Sequence, residues 1–69
     1  MKLKAKMVVM SHLSDAQELI GFGFKDESNN RINFAKWIIL QTKGDLTQEI
    51  DADEMYMEYQ NNFKGAIPM

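Results

Sequence analysis

No cysteine occurs in this 69-residue chain, and that absence constrains its folding more than any motif in it. A chain of this size buries only about 60% of the surface that its unfolded form exposes. Domains so small usually add disulfides, a structural metal or self-association. Disulfides are excluded, and a zinc site is disfavoured because His12 is the single other strong zinc ligand. Either helix packing alone must suffice or a companion must complete the core. The means for a core are present: 45% of residues are apolar, among them Trp37, Tyr56, Tyr59 and four Phe, and the net charge is only −2. That combination lies outside the highly charged, weakly apolar regime of disordered chains.

Lys2, Lys4 and Lys6 resemble the basic start of a signal peptide, but the apolar run behind them is only Met7, Val8, Val9 and Met10. A cleavable signal needs about 7–15 apolar residues, and a membrane span about 18. The expectation is a cytoplasmic protein, or one built into an assembly formed there, with no membrane partner. The small net charge conceals an asymmetry. Residues 1–43 carry seven Lys or Arg against four Asp or Glu, whereas residues 44–69 carry Lys64 against six acids. A basic front and an acidic back can steer copies head to tail, or steer a polar partner.

The chain shows no repeat, linker or low-complexity tract, so residues 1–69 read as one mainly α domain: three helices preceded by an extended or β-forming arm. Residues 2–10 alternate lysines with apolar residues and end in β-branched ones, the period-2 pattern of a strand with one solvated face. The arm therefore covers 1–12, and its strand must pair with the segment 46–50 or with another copy. Residues 15–22 predict a first helix, capped by Ser14 with Gln17 completing a capping box and stopped by Gly21 and Gly23. A start one turn earlier, at Ser11, fits as well. Residues 31–43 predict a second helix, capped by Asn30 or Ser28, with Gly44 just past its end. Its main apolar face holds Ile32, Phe34, Ala35, Ile38 and Ile39. Trp37 and Leu40 fall outside that face, so this helix is central or carries an interface. Residues 52–64 predict a third helix, with Asp51 as N-cap, Glu54 completing a capping box, Ile50 stapling Met55, and Gly65 as the stop. The three-helix core thus spans 14–65, and residues 66–69 form an apolar tail that Pro68 keeps out of any helix.

No pattern carries catalysis. Gly21-Phe22-Gly23-Phe24 follows a helix and lacks the third glycine of a dinucleotide loop. As a ribonucleoprotein motif it has Ile20 where a base belongs, and Lys25-Asp26-Glu27 where an aliphatic and aromatic run belongs. A helix stop accounts for it. The acids around Asp51 lack the alternate spacing of a calcium loop. His12 has Ser11, Ser14 and Asp15 near it in sequence, but neighbours so close along the chain do not build a nucleophile, base and orienter across a fold. No enzyme, cofactor, metal or small-molecule substrate is expected.

Two function classes remain. Arg31, Asn33, Lys36 and Lys43 on the second helix, with Lys2, Lys4 and Lys6 as a basic arm, could contact nucleic acid in a helix-turn-helix manner. Against that stand an isoelectric point near 5.2, a connection from Phe22 to Asn30 longer than the usual three or four residues, and an apolar reading helix. The preferred reading rests on surplus apolar surface. Met7, Val9, Trp37, Leu40, Met57 and Ile67 are the expected contact residues of a non-enzymatic protein–protein interaction protein, a small homo-oligomer or a subunit of a larger assembly. By size alone it resembles accessory factors and phage-type structural components.

Overall fold

A computed structural model describes residues 1–66, with side chains as far as residue 62. The order is β1 (Lys2–Lys4), α1 (Ala5–Gly21), α2 (Lys25–Gln41), β2 (Glu49–Asp51) and α3 (Ala52–Ala66). The fold is mainly helical, with three helices behind a short N-terminal strand.

The arm is shorter than its alternation predicts. Only Lys2–Lys4 is strand, and the expected strand residues from Ala5 onward, with the rest of the arm to residue 12, belong to α1. Ala5, Val8, Val9 and Ala16 are buried with His12 half-buried between them, a helical spacing that overrides period 2. β2 is itself three residues long and offers no ladder further on. Its mate lies in the same chain: Lys2, Leu3 and Lys4 face Asp51, Ile50 and Glu49 in antiparallel register. Beyond the strand, the Ala5 and Lys6 amides donate to the carbonyls of Gln48 (2.7 Å) and Leu46 (3.0 Å). Backbone carbonyls thereby satisfy the donors that open α1. The expected caps Ser14 and Gln17 are exposed residues in mid-helix.

Both ends of the α1–α2 connection are explained by backbone geometry. Gly23, at φ 89°, ends α1 as the amides of Gly23 and Phe24 return to the carbonyls of Ile20 and Leu19, a Schellman closure. The connection is therefore three residues long, not the longer stretch expected from Phe22 to Asn30. α2 begins six residues before the predicted Arg31, and its expected caps are turned to other work. Ser28 is buried, and its hydroxyl donates to the Ala16 carbonyl at 2.8 Å. Asn30 receives the Tyr59 hydroxyl at 3.4 Å and donates to the Tyr56 hydroxyl oxygen at 3.2 Å. α2 also closes by a Schellman motif, with Lys43 (φ 54°) taking the left-handed position expected of Gly44.

α3 starts where predicted. Asp51 Oδ1 accepts the amides of Asp53 (3.0 Å) and Glu54 (3.3 Å), and Ile50 and Met55 join the same core cluster. The helix continues through Gly65 to Ala66, one residue into the predicted tail.

Phe34 is the hub of the core, 1% exposed. His12 and Tyr56 meet its ring edge to face at 4.8 and 5.0 Å, and Tyr59 meets it tilted at 5.4 Å. The pairs Ala16 with Ser28 and His12 with Phe34 show that α1 and α2 run antiparallel. α3 and the strand pair cover one side of this helical hairpin.

Candidate interaction surface

The helical hairpin has two sides, and no described residue covers the side away from α3. On α2, Asn30, Phe34 and Trp37 face α3, and Ser28 marks the contact with α1. Continuing round the helix at about 100° per residue, the next stripe is Lys25, Asn29, Ile32, Lys36 and Ile39. On α1 the stripe beyond Ala16 is Lys6, Met10, Leu13, Gln17 and Ile20, repeating at intervals of three and four residues. Met10 (67%), Leu13 (44%), Ile20 (47%) and Ile39 (38%) are exposed there. Between the two stripes runs an open groove of about 240 Å³, lined by Leu13, Ala16, Gln17, Ile20, Ser28, Asn29 and Ile32. Neither stripe contains Asp or Glu; their charges are Lys6, Lys25 and Lys36.

α3 presents the opposite chemistry. Its inner face packs Ala52, Met55, Tyr56 and Tyr59 on the core. Its outer face carries Asp53, Glu54 and Glu58 around Met57, which is 64% exposed. The charge asymmetry along the sequence thus becomes an asymmetry between two sides of the fold.

The expected contact residues are distributed unevenly. Met7, Leu40 and Met57 are exposed, with Leu40 in a shallow recess beside Asn33, Lys36 and Trp37. Val9 is a correction: it is buried in the core cluster, because it falls on the Ala5 and Ala16 side of α1. Trp37 is half-buried and stacks at a tilt on Tyr59, 6.0 Å away, so the core takes up most of it. Its indole N–H is buried with no hydrogen-bond partner among the described residues. Ile67 lies outside the described residues. The helix start at Ser11 that the sequence also allows puts Leu13, Ala16 and Ile20 on one face. Met10 falls in the expected arm and Ile39 on the main apolar face of the second helix, so a helix starting at residue 14 hides the stripe as a whole. The signal was the i, i+3 spacing of Met10 and Leu13, continued by Ile20.

Of the basic residues of the nucleic-acid alternative, Lys6 and Lys36 share the groove side of the hairpin, whereas Lys2 and Lys4 are exposed on β1 and Lys43 closes α2. Asn33 is half-buried beside Leu40. Arg31 turns toward α3, into a cleft of about 240 Å³ with His12, Phe34, Ala52, Asp53 and Tyr56. Two antiparallel helices also differ from the crossing of about 90–120° in a helix-turn-helix.

That cleft brings together His12, Arg31, Asp53 and Tyr56. His12 Nδ1 lies 3.0 Å from the Val8 carbonyl, which can only accept, so Nδ1 is the donor there. The Tyr56 hydroxyl oxygen is engaged by Asn30. Among the described residues, no His, Asp or Glu group is arranged to hold a metal ion, and no helix is long and apolar enough to cross a membrane. The one ion pair among them joins the Met1 ammonium to Asp51 at 3.5 Å. No family model, curated protein or solved structure matches this chain, so the functional reading rests on the two faces themselves.

Proposed function

We propose that this chain is a non-enzymatic, self-associating protein of the cytoplasm, acting as a small homo-oligomer or as a repeated subunit of a larger assembly. The observation that carries this reading is the side of the α1–α2 hairpin away from α3, where Met10, Leu13, Ile20 and Ile39 stand exposed along one groove. Exposed apolar residues aligned along one groove form a contiguous patch of the kind that marks an interaction site. Covering it supplies the companion that a small core without disulfide or metal lacks. Exposed Leu40 and Met57 extend the apolar surface to the outer sides of α2 and α3.

Sedimentation equilibrium across a concentration series tests the reading. The wild-type chain is expected to exceed its 8.0 kDa monomer mass at micromolar concentration. Leu13→Lys is expected to return it to monomer with an unchanged far-ultraviolet spectrum. A cooperatively folded wild-type chain that stays monomeric at every concentration would remove self-association as its function.

A further inference from the structure

Building on the self-association just proposed, we infer that the contact is heterologous: the acidic outer face of α3 in one copy docks into the lysine-rimmed groove of the next. The groove is apolar at Leu13, Ile20 and Ile32 and has no charged residue in its lining; the stripes of α1 and α2 that border it carry Lys6, Lys25 and Lys36 and no acid. Two grooves placed against each other would bring like charges together, which opposes association. The outer face of α3 is its complement. Met57 stands exposed at the centre, with Asp53, Glu54 and Glu58 beside it. Methionine is flexible and polarizable and fills irregular apolar clefts well. The carboxylates fall where they can meet the lysines of the rim.

The two faces also point in opposite directions. α3 turns its inner side to α2 through Tyr56 and Tyr59, whereas the groove opens on the side of the hairpin away from α3. One copy can therefore hold one neighbour in its groove and offer Met57 to another. Such a contact does not close at two copies. It propagates as a ring or an open filament, according to the rotation between neighbours.

Charge exchange tests this inference separately from self-association itself. One variant combines Lys6→Glu with Lys36→Glu, reversing the groove. The other combines Glu54→Lys with Glu58→Lys, reversing the α3 face. With folding verified by circular dichroism, each variant alone is expected to associate at least tenfold more weakly than wild type. Their equimolar mixture is expected to regain assemblies larger than two copies, because each reversed face meets an opposite one. If the α3 variant assembles as wild type does, or if the mixture stops at two copies, the groove meets another groove and the heterologous contact is wrong. Should the α3 variant fail to fold, Met57→Glu replaces it. That single change weakens association at least tenfold if Met57 enters the groove, and a wild-type affinity overturns the inference. A wild-type chain that never associates removes the underlying reading instead, and this inference falls with it.

Discussion

Ser28 and Asn30 show how a polar side chain is spent once the whole fold is formed. Both have the chemistry of helix caps, and a sequence offers no sign that α2 begins before them. In the fold they face inward, Ser28 to the Ala16 carbonyl and Asn30 to two tyrosines. Ser28→Ala is therefore expected to lower stability by about 0.5–1.5 kcal/mol, read from urea unfolding, although no helix end is touched. Asp51 was legible for the opposite reason: its cap is made to Asp53 and Glu54, two and three residues away. Its carboxyl is held below the usual 3.8, first by the Glu54 amide, which outweighs desolvation, and then by the N-terminal ammonium and the Asp53 amide. Asp51 thus ionises more readily in the folded chain than in the unfolded one. Its contribution is complete above the ordinary carboxylate range and is lost as pH falls through the lowered value. The thermal midpoint is expected to fall between about pH 5 and pH 2. Asp51→Asn keeps a capping side chain and should show a smaller fall over that interval. An identical acid profile would show that Asp51 does not contribute to it.

At the scale of the element, the three helices and their approximate order were legible, because their apolar spacing and glycine stops are local. The start of α1 was not. Over residues 2–7, lysines alternating with apolar residues fit a strand as well as the edge of a helix. The decision falls to Ala16 and His12, farther along the chain, and to the Gln48 and Leu46 carbonyls, which receive the first amides. α2 ends at Gln41, two residues before the predicted Lys43, and Lys43 occupies the left-handed position expected of Gly44. A left-handed conformation costs a side-chain-bearing residue roughly 1–2 kcal/mol relative to glycine. Lys43→Gly is expected to recover about 1 kcal/mol of that in equilibrium unfolding. Gly23→Ala, at φ 89°, is expected to lose a similar amount. A Cβ at Gly23 meets nothing within 4 Å, so the loss there reads the backbone conformation alone.

For the whole molecule, the uneven charge along the sequence acquires a spatial meaning that composition could not supply. The acids of α3 and the lysines of the α1–α2 groove lie on opposite sides because α3 packs on Phe34 and Asn30, away from the groove. The expected contact residues divide between the surface and the core. Exposed Met57 and Leu40 were readable from helical position, whereas Val9 and most of Trp37 serve the core, and the α1 stripe depended on where that helix begins. Phe34 joins all these parts. Phe34→Ala is expected to cost about 3–5 kcal/mol, against roughly 3–10 kcal/mol for a whole domain of this length, leaving a largely unfolded chain by circular dichroism. Association between charged faces should also weaken as salt rises from about 0.05 to 0.5 M, where screening shortens to a few ångströms. The most direct measurement is a dilution series of amide and methyl NMR spectra, which locates the contact as well as detecting it. The expected result is concentration-dependent shifts at Met10, Leu13, Ile20 and Ile32 and, separately, at Glu54, Met57 and Glu58. Shifts confined to the strand pair or to the His12 and Arg31 cleft, or spectra unchanged on dilution, would contradict it.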